Sequence, residues 1–125
     1  MKKELKTEKA PAAIGPYSQG IQANGFVFVS GQLPIDPATG AFAGEDISSQ
    51  THQALKNVRA VLAEAGAGLE DVVRVNVYLK DIGDFAAMNQ VYAEYFSDPC
   101  PARAAVQVAA IPKDALLEIE VIAAL

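Results

Sequence analysis

The sequence predicts an α+β two-layer sandwich, with two helices covering one face of a single mixed sheet. Three observations carry that prediction: an Asn-Gly turn between two strand-like runs, two segments with helical spacing of apolar residues, and three later runs that alternate with period two. The length, 125 residues, suits one domain spanning 1–125. A domain of this size can bury roughly two-thirds of the surface its unfolded chain exposes.

Asn24-Gly25 lies between Gln19-Gly20-Ile21-Gln22 and Phe26-Val27-Phe28-Val29. The pair reads as a two-residue type I′ turn joining a β-hairpin. The second run is apolar at successive positions, which predicts a strand buried on both faces. It ends at Ser30-Gly31-Gln32, where the chain is expected to leave the sheet. Asp36-Pro37-Ala38-Thr39-Gly40 marks a turn in the following loop.

Residues 46–66 carry the clearest helix. Ile47, Thr51, Leu55, Val58, Leu62 and Ala65 recur at three- and four-residue spacing, and Ala54 and Val61 widen the stripe. Asp46 is placed to cap the first turn and Gly66 to end the last. A second helix is predicted from about Asp84 to Phe96, burying Phe85, Met88, Tyr92 and Tyr95 or Phe96. Pro99 and Pro101 prevent its continuing.

The remaining strands alternate. Val73, Val75, Val77 and Leu79 interleave with Arg74, Asn76, Tyr78 and Lys80. Ala104, Val106 and Val108 interleave with Arg103, Ala105 and Gln107, and Leu117, Ile119 and Val121 with Glu118, Glu120 and Ile122. The order is then β-hairpin, α, β, α, β, β. With both helices on one face, the other would carry Arg74, Asn76, Tyr78, Arg103, Ala105, Gln107, Glu118, Glu120 and Ile122. That face is either a wet surface or a subunit interface, and pattern alone does not choose.

Composition narrows the chemistry. Half the chain is hydrophobic (51%) against 20% charged, which excludes disorder. One Cys and one His exclude an intrachain disulfide and a Cys/His zinc site. A net charge of −5 disfavours nucleic-acid backbones as partners. The lysines at 2, 3, 6 and 9 are interleaved with Glu4 and Glu8, which reads as a solvated N-terminal segment. No run approaches the roughly 18 apolar residues of a membrane span. Nor does a signal-peptide stretch follow Lys2-Lys3. A cytoplasmic location is expected, and one reduced cysteine is compatible with it.

Single residues offer few alternatives. His52 falls on a helix flank, and Cys100 sits in a turn between two prolines with only Arg103 as a cation close in sequence, which makes a weak case for a reactive thiol. Ser30-Gly31-Gln32 is not a nucleophile elbow. Pro101-Ala102-Arg103 is the stronger feature, because an arginine after a restrained turn can grip a carboxylate through two parallel hydrogen bonds. Glu118, by pattern on the same sheet face, could hold a water. The plainer alternative is an Arg103–Glu118 or Arg103–Glu120 ion pair.

The ordered stretches Ala10-Pro11-Ala12-Ala13-Ile14-Gly15-Pro16-Tyr17-Ser18-Gln19, Val29-Ser30-Gly31-Gln32, Gln50-Thr51 through Asn57-Val58, and Asp84-Phe85 through Asn89 and Tyr92 resemble the Rid (reactive-intermediate deaminase, or YjgF) family. Pro101-Ala102-Arg103 through Ile111-Pro112-Lys113-Asp114 to Glu118-Ile119-Glu120 completes the pattern. The resemblance spans nearly the whole chain. It implies the chorismate-mutase-like fold, a homotrimer with active sites between subunits, and no metal or bound cofactor. It also implies hydrolysis of 2-iminobutanoate and 2-iminopropanoate, released by pyridoxal-phosphate enzymes, to 2-oxo acids and ammonia.

On the family's pattern Arg103 would bind the substrate carboxylate with help from the Gly31 amide, and Glu118 would activate the water. Tyr17, Ser30 and Asn89 would line the cleft; a contact made by the backbone carbonyl of Ala105 would be preserved, whereas a thiol contact at that position would be lost. A rival reading is a noncatalytic regulatory trimer in which the same arginine binds a small carboxylic acid without turnover, and the resemblance also brings ribonuclease action or translation inhibition, attached to some relatives. This chain departs from many relatives at Ala104 and Ala105, where Ser or Thr and then Cys are common. It departs again at Cys100, where an aromatic residue is common. These changes bear on substrate preference more than on activity.

Overall fold

In the computed structural model, which describes residues 1–125, the Asn-Gly hairpin forms as its chemistry requires. Asn24 (φ 52°) and Gly25 (φ 79°) both take the left-handed conformation. They join β2 (Gly20–Ala23) to β3 (Phe26–Gln32). Ahead of them β1 (Lys3–Leu5) pairs antiparallel with β2. The N-terminal segment is therefore not simply solvated: its lysines are exposed, but Leu5 is 2% exposed and enters the core.

Helix α1 (Ile47–Ala63) begins at Asp46, whose carboxylate accepts from the Ser49 amide at 3.1 Å and the Ser49 hydroxyl at 2.6 Å. These bonds hold the Asp46 carboxyl below its ordinary pKa. Ala54, Leu55, Val58, Val61 and Leu62 are fully buried, as the spacing predicts. Three polar residues share the stripe and are satisfied there, Thr51 by donating its hydroxyl to the Ile47 carbonyl. Asn57 donates to the carbonyls of Leu33 and Ile35, and Gln50 donates to Gly44 and accepts from the Leu116 amide. Gly66 (φ +71°) turns the chain beyond the helix.

Strand β4 (Val72–Leu79) follows, then α2 (Phe85–Tyr92), β5 (Ala102–Gln107) and β6 (Leu117–Ala124). The sheet order is β1-β2-β3-β6-β4-β5. Only β4 and β5 run parallel, so the sheet is mixed. Both helices pack on one face over a core that includes Val75, Val77, Leu79, Met88, Ile119 and Val121. This is the predicted two-layer α+β sandwich. No helix is long and apolar enough to cross a membrane.

Three strand readings change. Phe26 and Phe28 are 44% and 43% exposed while Val27 and Val29 are buried, so β3 alternates rather than burying both faces. The strand also continues through Ser30-Gly31-Gln32, where an extra residue bulges it against β6. A second bulge in β4 turns Val73 outward (45% exposed) and Val72 inward.

The third change reverses β5. Its parallel register sets Arg103 beside Val75, Ala105 beside Val77 and Gln107 beside Leu79, all three partners being core residues. Arg103 and Ala105 therefore lie on the helix side, and Val106 (46% exposed) lies on the open face. Hydropathy pointed the other way because Val106 is the largest apolar residue of a strand otherwise built from small ones.

Candidate active site

Two groups of the residues singled out from sequence form, one on each side of the sheet. The first is built on the β3 bulge. The Ser30 hydroxyl donates to the Ser18 carbonyl at 2.6 Å and so ties the bulge to the loop that carries exposed Tyr17. Beside it, Gly31 meets the Glu118 side chain directly. A Cβ at Gly31 would sit 2.7 Å from Glu118 Cδ and 3.1 Å from Cγ, with Oε2 closer still. Only a residue without a side chain lets the β3 backbone approach this carboxylate so closely.

Glu118 is half-buried on β6. Burial, and secondarily the charge of Glu120, push its carboxyl above the usual carboxylate range. Glu120 is fixed in turn. Its Oε1 accepts from the Tyr78 hydroxyl at 2.5 Å and from Asn76 Nδ2 at 3.0 Å. The hydrogen bond to Glu120, then burial, raise the Tyr78 phenol.

The second group sits where β5 meets α2. Arg103 donates through Nη1 to Asn89 Oδ1 at 2.5 Å. Its guanidinium carbon lies 4.6 Å from the Tyr92 ring centre and 5.4 Å from that of Phe85. Ala105, two residues along the same face, packs against the core. Tyr92 is 7% exposed, and its hydroxyl has no hydrogen-bond partner. Burial raises its phenol, and the Arg103 charge opposes the rise.

The expected pairing of Arg103 with Glu118 or Glu120 on one face does not occur. Glu118 stands opposite Tyr78 on the open face, Arg103 is on the helix face, and β6 and β5 are separated by β4. The ion pair of the chain is Lys80–Asp114 at 2.8 Å, and His52 Nε2 lies 4.0 Å from a Glu94 carboxylate oxygen. Arg103 thus carries its charge half-buried and without an acidic partner. Two surface depressions lie elsewhere, one around Tyr95, Phe96, Pro99 and Pro101 and the other around Phe42, Gln50, Lys80 and Asp114.

His52 and Cys100 stand apart from both groups. His52 Nδ1 shares a hydrogen bond of 2.7 Å with the Tyr95 hydroxyl, and Cys100 is exposed with its thiol 3.7 Å from Asp98 Oδ1. No group of three or more His, Cys, Asp or Glu side chains is placed to hold a metal ion. Phe85 and Tyr92 were legible from sequence only as helix core. Their spacing around Asn89, four residues and then three, was the available signal that all three share a face with Arg103.

Fold and geometry together define a class: an α+β sandwich with an uncompensated arginine on one sheet face and an elevated carboxyl on the other. Comparison with known proteins narrows it. The model of the family described as Endoribonuclease L-PSP matches residues 7–125. The RutC family protein PH0854 of Pyrococcus horikoshii is 57% identical over 98% of both chains. The 2-iminobutanoate/2-iminopropanoate deaminase of Salmonella typhimurium is 48% identical, again over 98% of each. The crystal structure of E. coli TdcF with bound serine superposes with a TM-score of 0.93, at 42% identity over 98% of both chains. The chain belongs to this family, the Rid or YjgF proteins.

Proposed function

We propose that this protein is a 2-iminobutanoate/2-iminopropanoate deaminase that works as a homotrimer, each cleft combining the two half-sites from neighbouring subunits. One observation carries the reading: Arg103 holds a half-buried positive charge with no acidic partner. A charge kept in that state is suited to an anionic ligand, and its fork geometry suits a carboxylate. Glu118 lies beyond reach within the same chain, so the cleft needs a second copy to bring it near.

The open sheet face supplies a surface for that copy. Phe26 and Phe28 are each more than two-fifths exposed there, and Ala124 and Ile122 stand opposite them on β6, while Val106 is exposed on the far side of Arg74, Asn76 and Tyr78 of β4. A face that mixes exposed apolar groups with half-buried polar ones favours association. The deaminase name of the Salmonella relative supports the reaction, and the serine held by TdcF supports a small ligand bearing a carboxylate. Ribonuclease action, the property in the family description, sits poorly with a net charge of −5.

The chemistry asks little of the protein. Arg103, with the Gly31 amide, holds the substrate carboxylate and presents the imine carbon. Glu118 accepts a proton from water as the water oxygen adds to the carbon of the protonated imine, giving a neutral carbinolamine. It then returns that proton to nitrogen, the C–N bond breaks as the carbinolamine hydroxyl gives its proton back to Glu118, and ammonia takes up that proton and leaves as ammonium with the 2-oxo acid. A carboxyl raised above its ordinary range is better matched to both steps than a fully exposed one. Positioned general acid–base catalysis of this kind contributes about 10²–10⁴-fold, and fixing the substrate adds an orientation term.

The test couples the protein to serine or threonine dehydratase and follows 2-oxo acid or ammonia release. Wild type is expected to accelerate release, and Arg103→Ala to lose the acceleration. Equal acceleration by both proteins would overturn the assignment.

A further inference from the structure

We propose that Phe85, Asn89 and Tyr92 form a charge-neutral clamp that positions Arg103 and leaves its charge free for the ligand, with the Tyr92 ring as the principal positioning element. The inference rests on the reading of Arg103 as the carboxylate-binding group. Its starting point is the set of neighbours that this guanidinium does and does not have. A half-buried arginine is commonly neutralised by Asp or Glu. Arg103 is instead held by one amide oxygen and two aromatic faces, all on a single stripe of α2.

Each contact fixes one degree of freedom. Asn89 Oδ1 takes the Nη1 donor and sets rotation about the guanidinium axis. The rings of Tyr92 and Phe85 lie within cation–π range and fix its position. Four of five N–H donors remain for a ligand, enough for a bidentate carboxylate. The ring of Tyr92 is the nearer of the two and is itself immobilised. It is 7% exposed and stacks at 4.6 Å on Phe96. Its hydroxyl makes no hydrogen bond of good geometry, although burial raises its phenol and the Arg103 guanidinium lies near enough to oppose that rise. The defined contact with Arg103 is made by the aromatic face, which phenylalanine retains.

That distinction makes the clamp testable. Pyruvate and 2-oxobutanoate binding is measured by calorimetry, with KM and kcat from the coupled assay, on wild type, Tyr92→Phe, Tyr92→Leu and Arg103→Ala. Tyr92→Phe is expected to bind within about twofold of wild type. Tyr92→Leu is expected to weaken binding roughly 3–30-fold, the loss appearing mainly in KM with kcat less affected. Binding by Tyr92→Leu equal to wild type overturns the clamp, as does a Tyr92→Phe protein as weak as Tyr92→Leu.

Should Tyr92→Leu fail to fold, Asn89→Asp supplies the independent arm. An aspartate there gives Arg103 an internal counter-ion, so thermal stability is expected to hold or rise while 2-oxo acid affinity falls about tenfold or more. Unchanged affinity in a folded Asn89→Asp protein overturns the proposal. The Arg103→Ala arm separates the two levels of inference. If it binds 2-oxo acid as wild type does, the functional assignment fails. If it loses binding while Tyr92→Leu and Asn89→Asp keep theirs, only the clamp fails.

Discussion

Replacing Gly31 by alanine gives the sharpest local perturbation of the half-site built on β3 and β6. The new Cβ would sit 2.7 Å from Glu118 Cδ, whereas ordinary contact begins near 3.4 Å. The carboxyl group must retreat by the difference, 3.4 minus 2.7, or about 0.7 Å, and its nearer oxygen by more. Misplacing a catalytic group by about 1 Å costs on the order of 10²-fold in rate. Stability should change far less. Gly31 has no positive φ, so alanine fits the backbone, and what must move is the end of a flexible side chain. The expected result is a folded protein whose melting temperature lies within a few degrees of wild type and whose kcat/KM falls about 100-fold. The double variant Gly31→Ala/Glu118→Ala should be no worse than Glu118→Ala alone, because the two changes act through one carboxylate. Wild-type activity in a folded Gly31→Ala protein would refute the role given to Glu118.

Other outcomes follow from the same geometry. Activity should fall on the acid side as Glu118 protonates, at a pH above that of an ordinary glutamate, since its folded-state pKa is raised by burial and then by Glu120. Glu120→Gln removes the second cause, so the acid limb of the pH–rate profile should move to lower pH; an unmoved limb would contradict the coupling. The stability sign is the reverse of that for an ordinary salt-bridged acid. A raised folded pKa means that stability is lost as pH rises through it, so Glu118→Gln should raise the melting temperature at neutral pH. Gly20→Ala should destabilise by about 1–3 kcal/mol, read by denaturant titration, because its Cβ would lie 2.7 Å from Val61 Cγ1 in a packed core. Phe28→Glu should leave the chain folded by circular dichroism but shift it to a smaller species in sedimentation and abolish activity, since Phe28 is 43% exposed on the face assigned to assembly.

The elements that the sequence made legible are those with a strong local signal. Asn24-Gly25 requires positive φ at both residues and forms the hairpin. The apolar stripe from Ile47 to Leu62 is long enough for its period to be unmistakable, and Asp46 caps it as read. What stayed hidden depends on partners distant in sequence. Only Leu5 of β1 points inward, so lysines and glutamates mask a strand that exists because β2 offers it an edge. The bulges at Ser30-Gly31 and Val73 are set by register against β6 and leave no mark in a period-two pattern.

Strand β5 shows the limit most clearly. Six residues dominated by alanine carry almost no hydrophobic contrast, and Val106 drew the wrong face inward. The side facing the core instead presents Arg103, which is tolerated because α2 covers it with Asn89 and two aromatic rings. The structure sets Arg103 against Asn89 and Gly31 against Glu118, an arrangement the sequence pattern did not reveal. Reading both charged groups onto one face concealed the feature on which the functional account now depends.

Arg103 and Glu118 of one chain lie on opposite faces of its sheet, and the proposed cleft draws them from two subunits. Subunit mixing tests this most directly. Arg103→Ala and Glu118→Ala, each inactive alone, are unfolded together in equal amounts and refolded as mixed assemblies. If a cleft takes its arginine from one subunit and its glutamate from the neighbour, random mixing restores about a quarter of wild-type activity per cleft. If both residues of a cleft come from the same chain, no mixed assembly contains an intact site, and the refolded mixture stays as inactive as its parents.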